Sequence, residues 1–270
     1  MSAREEEGRT NGGTDPSGPS SSSSGRAKRA LRRRDFLIAG GGLAAGAAGA
    51  AIGGRLLEPP EGPQRLIEWG PDAPVWGEAP VRELALVTAP PFHPVISGSA
   101  THSRMRVQAL GTADEVYVRL EWEDADKHDR IVELWDYADA VAIQFPRDRD
   151  PATNPMMGTP ERPVNTWYWR ASWGKAQNLV AEAPFTITPA SAQDVEASAR
   201  HADGRWVVVF RRRREPGDGA SVNLAGVRAI PAAFALWEGG NREAGGLKAV
   251  TREATEGRWV DLAFAEPVRA

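Results

Sequence analysis

Val116-Tyr117-Val118-Arg119-Leu120-Glu121-Trp122 alternates apolar side chains with Tyr, Arg and Glu, so that Val116, Val118, Leu120 and Trp122 share one face of an extended chain. A period of two marks a half-buried strand. The pattern recurs outward on both sides, over residues 82–87 and 105–110 before it and over 138–145, 166–173, 206–212, 232–237 and 259–264 after it. Gly, Pro, Asp and Asn separate these runs, and Gly111-Thr112-Ala113-Asp114 reads as a hairpin break. No long amphipathic helix is present; residues 191–200 have room for two or three helical turns at most. The pattern predicts an all-β fold, an antiparallel β-sandwich of about eight to twelve strands. One connection stands apart. Residues 146–163 hold five prolines between two strong strands, and a long ordered loop on a β scaffold is a common place for function.

The chain upstream of residue 59 has a different character. Residues 1–31 are mostly Ser, Gly, Glu and Arg, offer too little apolar surface to offset ordering entropy, and are predicted to be a disordered extension. Residues 32–58 open with Arg32-Arg33-Arg34-Asp35-Phe36-Leu37 and continue as a mildly apolar run of Gly and Ala. Basic, apolar and then small residues is the order of an export signal, and the paired arginines before Asp-Phe-Leu resemble the twin-arginine consensus. Ala-x-Ala patterns at Ala45/Ala47 and Ala48/Ala50 offer cleavage sites. An uncleaved anchor is the competing reading, since residues 36–57 approach the roughly 20 residues of a membrane span. Seven glycines in that stretch favour processing, after which no stable span is expected and the protein is periplasmic or otherwise extracytoplasmic. The remaining domain, residues 59–270, carries a formal charge of −6 against −3 for the whole chain, which excludes a nucleic-acid-binding surface.

The chain contains no cysteine, which removes disulfides, iron–sulfur ligation, thiolate zinc sites, cysteine nucleophiles and covalent haem attachment from consideration. Gly-x-Ser-x-Gly and His-Glu-x-x-His are absent. The four histidines, His93, His102, His128 and His201, show no metal-ligand spacing, although His93 and His102 flank one loop and make a two-histidine site conceivable. Asp124, Asp126 and Asp129 lack the glycine and terminal Glu of a calcium loop and read as a solvated acidic turn. Among ten tryptophans, Trp167, Trp169 and Trp173 fall on one side of a single strand. A core layer is the plain reading; a sugar-stacking platform or the wall of a large flat cofactor is the functional one.

Basic residues are almost all Arg, with only four Lys. Lys28 belongs to the export segment, Lys127 sits among acids and Lys175 follows a Trp-Gly turn. Lys248 lies in apolar Gly245-Gly246-Leu247-Lys248-Ala249-Val250, and Lys, unlike Arg, can lose its proton on burial and offer a nitrogen lone pair. A snorkelling surface lysine accounts for the same pattern. Met156-Met157, adjacent in the polar Pro-rich loop, are hard to place as core, and a thioether is a soft ligand suited to haem iron.

Three segments in order, Asp139-Ala140-Val141-Ala142-Ile143-Gln144-Phe145-Pro146, Met157-Gly158 through Pro163-Val164-Asn165 to Trp167-x-Trp169-Arg170-Ala171, and Gly239-Gly240-Asn241-Arg242 leading to Leu247-Lys248-Ala249-Val250, resemble the haem b-binding γ subunits of periplasmic molybdenum enzymes related to ethylbenzene and dimethylsulfide dehydrogenases and selenate and chlorate reductases. The likeness spans roughly residues 80–264. It implies a β-sandwich whose long loops form a haem pocket, one non-covalent haem b, and iron ligation by one Met and one Lys. On this sequence those are Met157 and Lys248, with Met156 as the alternative thioether and His93 or His102 as remoter substitutes. The resemblance further implies a non-catalytic role, relaying single electrons between an iron–sulfur β subunit, itself joined to a molybdopterin-containing α subunit, and a soluble cytochrome or similar carrier. Arg170 and Arg242 are propionate candidates by charge, and the tryptophan strand 167–173 is expected to supply one pocket wall. Family members do not all carry their own twin-arginine motif, so the export segment is a departure. Two alternatives stand beside this reading: an exported carbohydrate-binding sandwich using a tryptophan platform, and a stand-alone periplasmic haem b shuttle.

Overall fold

A computed structural model describes residues 68–267; the extension and export segment expected over residues 1–58 lie outside them. Among the described residues no helix is long and apolar enough to cross a membrane. The chain forms β1 (Arg82–Thr88), β2 (Arg104–Gly111), β3 (Glu115–Glu123), β4 (Ala140–Pro146), β5 (Val164–Arg170), β6 (Ala176–Ala181), β7 (Thr188–Pro189), β8 (Glu196–Ala202), β9 (Arg205–Arg213), β10 (Ala229–Trp237), β11 (Ala249–Thr251) and β12 (Val260–Ala263). One short helix, α1 (Arg252–Thr255), follows β11. All named strands pair antiparallel, in the order β7-β6-β5-β4-β10-β11-β1-β2-β3-β9-β8, with β12 on β10.

β1 is where the sheet folds over. Its first half pairs with β2, Leu84 opposite Met105, and its second half pairs with β11, Leu86 opposite Thr251. The two resulting layers close on a shared core. Val116, Val118, Leu120 and Trp122 of β3 are buried in it, as the alternation requires, together with Val141, Ile143 and Phe145 of β4 and Val208 and Phe210 of β9. Rings meet across the layers: Trp169 of β5 lies 5.1 Å from Trp206 of β9, edge to face, and Trp167 lies 6.4 Å from Phe210. The other face of β3 is also covered, Tyr117 packing with Trp76 and Val209 beneath the segment that precedes β1. Gln108 fixes that segment by donating to the carbonyls of Trp76 (2.7 Å) and Ala79 (2.8 Å).

Two expectations need correction. Residues 191–200 hold no helix; their second half begins β8, an edge strand paired only with β9, whose half-exposed residues carry no clean alternation. β6 also escaped the pattern, because its centre is polar: buried Asn178 accepts from Asn165 Nδ2 at 2.7 Å and donates to Ser221 Oγ at 2.7 Å.

Candidate functional site

The strands that wall the core with one face build a cavity with the other. On β4, Val141, Ile143 and Phe145 point inward, leaving Ala140, Ala142 and Gln144 on the outer face; on β5, Trp167 and Trp169 point inward, leaving Thr166, Tyr168 and Arg170. On β10 the outer residues are Ala233, Ala235 and Trp237. Register aligns them: Ala235 opposes Ala142, which opposes Tyr168, and Trp237 opposes Ala140, which opposes Arg170. Four alanines thus form a flat floor whose side chains end at Cβ. Loops flank this floor, and together they bound a partly open, predominantly apolar cavity of about 460 Å³, a size typical of ligand pockets.

Two loops bring the candidate ligands there. The 146–163 connection carries half-buried Met156 and Met157 into the cavity wall. It is tied down by Gln144 Nε2 donating to Pro155 O (2.8 Å), Trp259 Nε1 donating to Thr153 O (2.9 Å) and Gly158 N donating to Asn154 O (2.9 Å). Met157 has φ +72, a left-handed conformation unusual for a side chain of its size, and Gly158 has φ +69. A Cβ on Gly158 would stand 2.7 Å from Arg162 O, so this turn admits only glycine.

Lys248 precedes β11, which pairs with β10 along the edge away from β4. Its carbonyl accepts from Ala89 N (2.9 Å), and a Cβ on Gly246 would meet Ile96 Cδ1 at 2.3 Å. The side chain lines the cavity at 9% exposure. Burial pushes its amine down from the usual 10.5 to about 8, and among the described residues no carboxylate pairs with it. Its nearest aromatic partner is Trp237, 5.2 Å from Nζ to the ring centroid, and Trp237 in turn meets Tyr168 edge to face at 5.6 Å. Two further groups are buried in the same wall without a hydrogen-bond partner, Thr166 Oγ1 and Arg170 Nε. The Arg170 guanidinium lies 3.6 Å over the Trp173 ring.

Residues 73–190 and 184–249, which include every segment of this cavity wall described above, match the ethylbenzene dehydrogenase family. The chain belongs to that family. Its relatives include the chlorate reductase γ subunit of Ideonella dechloratans, 38% identical over 72% of this chain and 79% of that one. A second is the dimethylsulfide dehydrogenase γ subunit of Rhodovulum sulfidophilum, 32% identical over 67% of this chain and 71% of the relative. A third, a putative respiratory nitrate reductase heme subunit of Haloferax mediterranei, is 32% identical, and the match spans 67% of this chain and 65% of it. Among solved structures, a family 9 carbohydrate-binding module from Caldicellulosiruptor kristjanssonii with glucose aligns at TM-score 0.42 and 9% identity, over 73% of this chain and 88% of that one.

Measured against the expectations, the cavity of this family member unites Met156, Met157, Lys248 and Arg170. Arg242 lies on an exposed turn outside it. Lys127 and Lys175 are exposed, leaving Lys248 as the buried one. His93 is exposed with Nδ1 accepting from Val95 N (3.3 Å), whereas His102 turns to Glu238 (3.1 Å), so the two form no joint site. The tryptophan wall is corrected: Trp167 and Trp169 belong to the core, and Trp173 lies past the end of β5. A strand shows alternate residues to opposite sides, and here β5 still supplies a cavity wall, but through the less conspicuous Thr166, Tyr168 and Arg170. The same inward turn removes the exposed platform on which a sugar-binding reading rested. Asp124 is also corrected, being 6% exposed and not solvated. The alanine floor was missed; its signal is the pairing of Ala-x-Ala on β4 with Ala-x-Ala on β10, each interleaved with large apolar residues.

Proposed function

We infer that this chain is a haem-carrying electron-transfer subunit, non-catalytic itself, of a molybdenum-dependent oxidoreductase complex. The observation that carries the reading is the convergence of a thioether pair and one buried, unpaired lysine on a flat-floored apolar cavity. The name heme subunit borne by one relative, and the γ subunits of chlorate reductase and dimethylsulfide dehydrogenase among the others, support it.

The residues fit a single non-covalent haem b. The alanine floor leaves room for a planar macrocycle, and Met157 and Lys248, from two separate loops, would supply a soft sulfur and an amine to it. Bound there, the haem supplies a one-electron redox centre without an open coordination position for substrate. The protein's part is to shield the site from water, to hold Lys248 Nζ where burial makes its neutral amine easier to reach, and to fix the methionine loop through its backbone bonds. Thr166 Oγ1 and Arg170 Nε, buried without partners, offer a hydroxyl and a cation to the acidic substituents of such a group. Met157 is the assigned thioether, supported by its left-handed backbone beside Gly158; Met156 is the alternative. The electron partners fitting this reading are an iron–sulfur β subunit attached to a molybdopterin-containing α subunit on one side, and a soluble cytochrome or similar carrier on the other, in the periplasm after twin-arginine export.

Purified protein is expected to show low-spin Soret and α bands, with pigment extracted by acid–acetone. Met157→Ala is expected to abolish or shift those bands while Met156→Ala leaves them in place. Colourless protein that takes up no added haem overturns the reading, and the reverse order of the two variants reassigns the thioether.

A further inference from the structure

Beside the cavity, behind Trp237 and Tyr137, a second group of polar side chains is drawn together from four separate places in the chain. His102 precedes β2, Asp124 follows β3, Asp139 precedes β4 and Glu238 follows β10. All three carboxylates are buried, Asp124 at 6%, Asp139 at 0% and Glu238 at 8% exposure. Asp139 is fully engaged: it accepts from His128 N (2.8 Å), Gly239 N (2.9 Å) and Trp206 Nε1 (2.9 Å). Asp124 is not. One of its oxygens accepts from Asp126 N at 3.2 Å, while Oδ2 is buried without any partner. Lys127, three residues on, pairs with Asp129 at 2.7 Å instead.

We propose that His102, Asp124 and Glu238 bind a divalent transition-metal cation. Each offers one ligand atom, and the three atoms lie within 4.8 Å of one another. An imidazole with two carboxylates is a donor set for Zn²⁺ or a neighbouring first-row ion, and the nitrogen disfavours Ca²⁺ or Mg²⁺, which take oxygen. His128 plays the orienting part: its Nδ1 stands 3.1 Å from Glu238 Oε1, poorly aligned for a hydrogen bond, and 3.7 Å from Asp139 Oδ1. Glu238 is further fixed by Gly240 N donating to Oε1 at 2.8 Å. A cation among these atoms replaces the His102–Glu238 contact (3.1 Å) with two metal bonds and gives Asp124 Oδ2 the partner it lacks.

The test uses the whole purified protein, stripped with chelator, mixed with Zn²⁺ and desalted, with metal read per chain by mass spectrometry so that haem content does not enter the result. The wild type is expected to retain one Zn²⁺ and to gain thermal stability with it. Asp124→Asn and His102→Gln are each expected to weaken retention at least about 100-fold, the upper end of what losing even an outer partner costs. Asp124→Asn removes an uncompensated buried charge and so is expected to fold. His93→Gln, on the exposed loop, is expected to retain the ion. No retention by the wild type, undiminished retention by Asp124→Asn or His102→Gln, or loss in His93→Gln overturns the proposal.

Discussion

Replacing Lys248 by Met isolates the one buried amine in the cavity wall, because the thioether keeps an unbranched apolar stem and removes only the titrating group. Burial lowers the amine from 10.5 to about 8, so holding it charged at pH 7 costs the folded chain about 3 kcal/mol. The Trp237 ring, 5.2 Å away, returns about 1 kcal/mol as a cation–π contact. Desolvation wins, leaving a net handicap of about 2 kcal/mol. Below pH 8 the folded and unfolded chains both carry the proton and the handicap is complete. Between pH 8 and about 10.4 the unfolded chain binds more protons than the folded one, so stability rises with pH and the handicap fades. Haem-free Lys248→Met is therefore expected to melt roughly 4–8 °C above the haem-free wild type at pH 7, with the gap closing near pH 10. Comparing the two proteins at each pH cancels the titration of distant groups. Circular dichroism melts at the two pH values suffice, and the haem-loaded variant, with a thioether in place of the amine, is expected to show bands shifted from those of the wild type. A variant that melts below the wild type at pH 7, or a gap that is the same at both pH values, refutes the picture of an unpaired amine in a water-poor pocket.

Other substitutions separate the loops, the floor and the scaffold. Gly158→Ala forces a Cβ to 2.7 Å from Arg162 O at φ +69 and is expected to cost about 1–3 kcal/mol in urea unfolding, with weaker haem retention. Ala142→Leu raises the floor into the cavity without touching the core, so haem content after reconstitution is expected to fall more than about tenfold while the haem-free melting temperature moves by no more than a few degrees. Asp139→Ala leaves three buried N–H donors unpaired and is expected to lower stability by at least about 3 kcal/mol, read as a shift of the urea midpoint.

What was legible in the sequence follows the physics of each element. β3 lies inside a layer and sets apolar residues against Tyr, Arg and Glu, so its alternation names both strand and core residues, whereas its neighbour β9 reads as a continuous apolar run from Trp206 to Phe210 because both of its faces are covered. β8 and β6 give neither signal: the first is an edge with little to bury, and the second places Asn178 inside, where hydrogen bonds replace apolar contact. Composition also isolated Lys248, since a chain rich in Arg exposes why a Lys is retained only when burial is seen. The tryptophans misled because size suggests a wall for a large ligand, whereas a flat ligand needs the space that alanines leave. The acidic turn misled for a related reason. Asp124 sits next to charged neighbours in sequence, but the neighbours that set its environment, Asp139 and Glu238, come from other strands.

Separating the core from the cavity face gives the fold a freedom that a buried internal pocket lacks. β4, β5 and β10 contribute Ile143, Trp167 and Phe234 to the interior, so their positions are held by the sandwich whether or not the outer face is filled. The outer face then needs only small side chains on the floor and two fixed loops beside it. With no cysteine to tether a macrocycle, retention has to come from those loops, and each is anchored by a different means. The methionine loop is held through backbone carbonyls, by Gln144 and Trp259 reaching Pro155 and Thr153, which leaves Met156 and Met157 free of structural duty. Lys248 is held through its own carbonyl just before β11, which leaves its amine, among the described residues, without a hydrogen-bond or ion-pair partner. Both donors are thus positioned by groups other than the atoms they would offer, which is the condition for a site to exist before its ligand arrives.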